Sequence, residues 1–126
     1  RGAKKAIRLP VSGAFHSSLM KHAAPGLEQA ITSMDFKDPQ MPIIGNYTGT
    51  PSNTAEEVKQ ELTDGLCNCV QWKKSIRCMV DSGVSTFVEF GSARVLSSLI
   101  RRIDSDVEAL TLSSVESIKK LTERNS

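Results

Sequence analysis

The stretch "VSTFVEFGSARVLSSLIRRI", residues 84–103, constrains the fold more than any other part of the chain. Its first half alternates β-branched and aromatic residues, the pattern of a strand. After Gly91-Ser92 the period changes. Val95, Leu96, Leu99, Ile100 and Ile103 recur at steps of three and four within Arg94–Ile103, which places them on one side of a helix. A strand that passes through a tight turn into an amphipathic helix is the unit of a parallel sheet.

The same alternation runs through the rest of the chain. Ile7–Val11 is a short strand candidate, stopped by Ser12-Gly13. An amphipathic helix is expected from Ser17 to about Met34, with Ser17 or Ser18 as N-cap and Pro25-Gly26 kinking or restarting it. Prolines 39, 42 and 51 make the next segment mostly loop, with Ile43-Ile44 as a short buried strand. Thr54 opens a helix, Glu57 stands where a capping box requires it, and Asp64-Gly65 is expected to end it. Trp72–Asp81 reads as a helix, "VEALTL" as a last strand and Ser114–Glu123 as a last helix. The fold class expected is therefore α/β with a largely parallel sheet. Its strand–glycine–helix junctions, "VSGAFHSS" and "VEFGSARVL", mark the edge where such sheets bind ligands.

The bulk numbers narrow the functions available. A chain of 126 residues holds one domain with a core, not two. Sixteen Lys and Arg against fourteen Asp and Glu give a net charge of +2. No run of like charges suggests a nucleic-acid or membrane patch. No apolar stretch reaches the ~18 residues of a membrane span, and "RGAKKAIRLP" lacks the apolar core of a secretory signal. Cys67, Cys69 and Cys78 are an odd set that favours reduced thiols. Cys67-Asn68-Cys69 lacks the second pair a zinc site needs, so no metal is expected. "KKAIRLPV" is a strand candidate with almost nothing before it, which suggests a piece of something larger.

The chemistry concentrates at "LPVSGAFHSSLM", residues 9–20. His16 follows a strand candidate and stands at a helix entrance. The positive end of a helix disfavours a charged imidazolium there, and a neutral imidazole can accept a proton. The plainer reading is a polar residue at a helix start. His22 reads as a surface residue, and the two histidines lack the spacing of a helical metal pair. A base needs a nucleophile, and none is evident. The serine elbow GxSxG is absent, and Gly83-Val84-Ser85-Thr86-Phe87 fails at its last position. Nothing marks an activated thiol, a phosphate-binding glycine loop or a working carboxylate pair.

At this point four segments carry a resemblance. "LPVSGAFHSSLMKHA" resembles the histidine segment of malonyl-CoA:acyl carrier protein transacylases, and "PIIGNYTG" resembles their proline–strand–Asn-Val-Thr segment. "CVQWKKSIRCMVDSGVSTFVEFGSARVLSSLIRRI" resembles their Pro-Val-x-Trp segment followed by Val-Glu-x-Gly-Pro-Gly-x-x-Leu. Order and approximate spacing agree over residues 5 to 103.

The resemblance implies an α/β-hydrolase-like acyltransferase core with a mostly parallel sheet. The whole of 1–126 would be the C-terminal portion of such a domain, residues 1–8 being the exit from its small ferredoxin-like subdomain. It implies ping-pong transfer of a malonyl group from coenzyme A to the pantetheine thiol of acyl carrier protein in fatty-acid synthesis. His16 is the implied base. The backbone carbonyl of Gly65 would orient it, a task that needs no side chain. Phe15 and Asn46 would border the pocket. No cofactor or metal is implied; the partners are a coenzyme A thioester and the carrier protein, with no nucleic acid or membrane. The compartment would be the bacterial cytoplasm, a plastid or a mitochondrion.

The departures are specific. The family's serine elbow, oxyanion-hole glutamine and carboxylate-binding arginine would lie upstream of Arg1. Its Gly-Pro-Gly is here Gly91-Ser92-Ala93, its Pro-Val-x-Trp begins with Cys69, and the proline after Met-Lys is His22. Without nucleophile and oxyanion donors His16 has nothing to activate, so the isolated chain is expected to be inactive, to need the missing N-terminal part of its domain, and to expose apolar surface prone to association. Two other readings remain: the acyltransferase segment of a multidomain fatty-acid or polyketide synthase, and a non-catalytic fragment that binds the carrier protein through Lys73, Lys74, Arg101 and Arg102.

Overall fold

The computed structural model describes Gly2, residues 6–8 and residues 11–124. The strand candidate at 7–11 falls partly on Leu9 and Pro10, outside the described residues, and Ile7, Arg8 and Val11 are in no strand. The chain divides into two compact units, residues 1–47 with 52–70, and residues 48–51 with 71–126.

In the first unit the expected long helix is two pieces. A six-residue 3-10 helix, Ser18–Ala23, leads into α1, Ala24–Thr32. Proline explains the break: it has no N–H and its ring clashes with the preceding turn, so Pro25 is tolerated only in the first turn of a new helix. Ser17 caps the first piece, its hydroxyl accepting Leu19 N–H. Ile43–Ile44 is β1, a strand of two residues, and the equally short β2 is Pro51–Ser52. The buried strand expected here is not buried. Ile43 is exposed and Ile44 half-buried, because both border a cavity instead of a packed core.

Next comes α2, Ala55–Cys67, opened by Thr54. The capping box is complete: the Thr54 hydroxyl accepts Glu57 N–H, and the Glu57 carboxylate accepts the N–H groups of Asn53 and Thr54. Those bonds, first from Asn53 and then from Thr54, hold the Glu57 carboxyl below its usual range. The Asp38 carboxylate takes Ala55 N–H as well. Asp64-Gly65 does not end the helix. Gly65 keeps helical conformation, and the last carbonyls of the helix find donors elsewhere in the unit.

The second unit is an α/β layer. α3, Trp72–Asp81, is followed by β3, Thr86–Phe90; α4, Val95–Ile103; β4, Glu108–Leu112; and α5, Val115–Arg124. β3 and β4 are parallel, with Phe87 opposite Ala109 and Glu89 opposite Thr111, as the strand–helix–strand order requires. Ile76, Phe87, Ile100 and Ala109 form the core, with Trp72, Met79, Val80, Ile103 and Val107 packed around it. Arg77 ties α3 to the end of α4 through the Asp104 carboxylate and the Ile103 carbonyl.

The β3–α4 junction is held by Glu89. α4 is preceded by its N-cap residue Arg94 in the left-handed region, φ +40°, which gives no cap from its own side chain. Glu89, reaching forward from β3, accepts Leu96 N–H, Ser97 N–H and the Ser97 hydroxyl. These bonds, the Ser97 hydroxyl foremost, lower the Glu89 carboxyl from its ordinary value. Ser97, 2% exposed, also contacts the Leu110 carbonyl and the Thr111 hydroxyl. The glycine turn is thus made without the proline its resemblance called for, by a carboxylate at the helix N-terminus.

Candidate functional site

The site is built on the C-terminus of α2. The last carbonyls of any helix lack intrahelical partners and must be met from outside. Here the Asp64 carbonyl accepts the Asn68 side-chain amide at 2.8 Å. The Leu66 carbonyl accepts the backbone N–H of His16 at 3.0 Å. The Gly65 carbonyl lies 2.7 Å from His16 Nδ1. One histidine therefore caps the helix twice, through main chain and ring.

That geometry fixes the ring. A carbonyl oxygen can only accept, so Nδ1 carries the proton and donates it, leaving the Nε2 lone pair as the basic atom. From the sequence His16 is expected at the positive end of a helix. The segment after it is only a short 3-10 helix, whereas the ring is bonded to the negative end of α2.

His16 adopts φ +61°, the left-handed region where histidine is uncommon. Such a backbone costs on the order of 1–3 kcal/mol and persists where the surroundings over-determine it. The two bonds to α2 do so here.

His16 and Gly65 open on a cavity of about 320 Å³ inside the first unit. Its walls are mainly apolar, from Leu27, Ile43, Ile44, Val58 and Leu62, and Asn46 and Glu61 add polar groups. The structure thus brings His16, Gly65 and Asn46 together. Phe15 is not among the lining residues. Its side chain is largely exposed and its ring folds back on Gly13, where a Cβ would lie 2.8 Å from the ring. Sequence reading missed Glu61 and the Leu66 carbonyl. The signal for Glu61 was its place one helical turn before Gly65.

His22 donates from Nδ1 to the Leu19 carbonyl of its own turn and does not line this cavity. Among the described residues no group of three His, Cys, Asp or Glu could hold a metal ion, and no helix is long and apolar enough to cross a membrane. Of the four basic residues considered for carrier binding, Lys74 is bonded to the Thr48 carbonyl and Arg101 to the Ala109 carbonyl.

No profile of a known protein family matches the chain. Individual proteins do. The malonyl CoA-acyl carrier protein transacylase of Bacillus subtilis (strain 168) is 36% identical over 118 residues, which are 94% of this chain and 37% of that protein. The acyl-carrier-protein S-malonyltransferase structure from Bartonella henselae superposes with a TM-score of 0.90 at 36% identity, over 98% of this chain and 39% of that one. A type II polyketide acyl-carrier protein in complex with its malonyl-transacylase matches at TM-score 0.92 and 32% identity, over 98% of this chain and 40% of that one. The chain spans about two fifths of the length of the relatives it matches. Over nearly all its own length it is related, in sequence and in α/β fold, to malonyl CoA-acyl carrier protein transacylases, which are acyltransferases.

Proposed function

We propose that the chain is the C-terminal part of a malonyl CoA-acyl carrier protein transacylase, and that His16 is its catalytic base. The observation that carries this reading is the 2.7 Å bond from His16 Nδ1 to the Gly65 carbonyl, which presents Nε2 as the proton acceptor beside a cavity. The substrates are a malonyl thioester of coenzyme A and the pantetheine thiol of acyl carrier protein. The solved complex of a carrier protein with its malonyl-transacylase supports that partner. The reaction calls for no metal or cofactor, and its place is the cytoplasm of a bacterium, as the organisms of the relatives suggest.

His16 serves both halves of the reaction. Nε2 removes the proton of a serine hydroxyl supplied by another segment, and that oxygen adds to the malonyl thioester. As the carbon–sulfur bond breaks, the imidazolium returns the proton to the departing coenzyme A thiolate. The pantetheine thiol then gives its proton to Nε2, its sulfur takes the malonyl group, and the serine oxygen leaves with the proton. The Gly65 carbonyl keeps Nδ1 protonated throughout.

The test is malonyl transfer to holo acyl carrier protein, measured for the complete product of the gene that carries these residues and for the 126-residue chain alone. Transfer by the gene product and none by the chain is the expected result. Transfer by the chain alone overturns the division of labour, and no transfer by either overturns the enzyme reading.

A further inference from the structure

On α2, Glu61 and Gly65 stand one turn apart, the spacing that puts two residues on one helix face. Gly65 holds His16 through its carbonyl. Glu61 holds a second segment: its Oε1 accepts the backbone N–H of Tyr47 at 2.5 Å, part-buried. Tyr47 follows Asn46 directly, and Asn46, Glu61, Gly65 and His16 all line the same cavity. The turn at 46–48 follows a strand of only two residues, so regular ladder bonds do little to hold it. A carboxylate accepting an amide N–H makes one of the stronger hydrogen bonds available to such a turn.

We infer that Glu61 is a positioning residue of the acyl-transfer site. With Gly65 it makes one face of α2 a template that fixes Asn46 and His16 relative to each other, and so sets the shape of the cavity that receives the acyl group. The role rests on the transacylase reading and goes beyond it, since that reading gives Glu61 no step of the transfer.

The test uses the complete gene product with three variants, Glu61→Ala, Glu61→Asp and Glu61→Gln. Glutamine keeps an acceptor oxygen at the same reach; aspartate keeps the charge but is one methylene short. Misplacement of a site residue by about 1 Å costs up to about a hundredfold in rate, so Glu61→Ala and Glu61→Asp are expected to lower kcat by at least about tenfold, while Glu61→Gln restores most of it. Hydrogen exchange at the Tyr47 amide, read in parallel, should speed up in the alanine and aspartate variants and stay slow in the glutamine variant. If Glu61→Ala does not fold, the aspartate–glutamine pair decides alone. Fast Tyr47 exchange with unchanged kcat overturns the positioning role and leaves the transacylase reading standing. So does equal kcat in the aspartate and glutamine variants. Absence of transfer by the unaltered gene product overturns both.

Discussion

The two units are stabilised in different ways. The second has an apolar core in which Ile76 is 1% exposed and Ala109 2%, and it buries two serines, of which Ser97 is bonded to Glu89, Leu110 and Thr111 and Ser75 to the Gln71 carbonyl. Both units leave large apolar residues exposed, Phe15 and Leu19 in the first, Phe90 and Val115 in the second, but among the described residues the first buries only Ile31 of its large apolar side chains and is tied together largely by polar bonds to helix ends: Asp38 and Glu57 at the start of α2, His16 and Asn68 at its finish. Apolar burial is non-directional and tolerates small shifts; a hydrogen bond to an orphan carbonyl fixes a donor to a fraction of an ångström. The unit with the thin core is therefore the one that can hold a base in a defined tautomer. Substitutions in it should be read mainly in activity, and those in the other unit mainly in stability.

His16→Ala gives the largest effect and the hardest test of that contrast. Removing a general base typically costs about 10²- to 10⁴-fold in rate, and malonyl transfer by the complete gene product should fall by that much. Hydrogen exchange in residues 76–80 should not change. A loss of protection there comparable to the loss of activity would break the comparison. Ile76→Ala is the counterpart. A large aliphatic residue deleted from a packed core costs about 2–5 kcal/mol, so the midpoint of urea unfolding should drop sharply. At low urea, where the variant is still folded, kcat should stay close to that of the parent.

Much of this was legible in the sequence, and the failures share a cause. Trp72–Asp81, the parallel pair β3–β4 and the Thr54–Glu57 capping box follow from local periodicity and local chemistry, and the structure has all three. What local pattern could not give was the partner of each helix end. Asp64-Gly65 reads as a stop because glycine usually terminates helices, but α2 continues to Cys67 since His16, 49 residues away, meets the carbonyl. Glu89 reads as an ordinary strand residue, and its work on α4 depends on a turn that brings Leu96 and Ser97 back to it. The meeting of His16 with Gly65 was suggested only through family resemblance, since nothing in the spacing of two distant residues encodes it.

Acid sharpens the comparison at intermediate scale. Hydrogen bonds lower the folded-state value of the Glu89 carboxyl from its ordinary 4.5. A carboxyl lowered by folding adds stability that is complete above the unfolded-state value and is lost as pH falls through the lower, folded-state value. The second unit should therefore begin to lose stability below about pH 4.5, and Glu89→Gln should flatten that acid limb, as followed by unfolding midpoints across pH 3–7. Ser97→Ala removes the first of the bonds that lower Glu89 and strands the Thr111 hydroxyl, at a cost of about 1–3 kcal/mol at neutral pH. An unchanged acid limb in Glu89→Gln would show that the stability of this unit does not run through the carboxylate.

The smallest expected effect is the most discriminating for the first unit. Gly65 sits inside α2 without a positive φ, and a Cβ built on it meets nothing within 4 Å. Neither backbone conformation nor space demands glycine, and glycine in a helix interior costs about 0.5–1 kcal/mol relative to alanine. Gly65→Ala should therefore stabilise the helix by roughly that amount while leaving the carbonyl, and with it His16, in place. The measurement is paired: the unfolding midpoint should rise slightly, and the pH profile of kcat, which reports the base, should not move. A rise in stability accompanied by a shifted profile would mean that the added methyl, at a residue lining the cavity, disturbs the ring or what binds beside it. Glycine would then be required at position 65 by what the cavity must admit, and the task of that residue would no longer be the carbonyl alone.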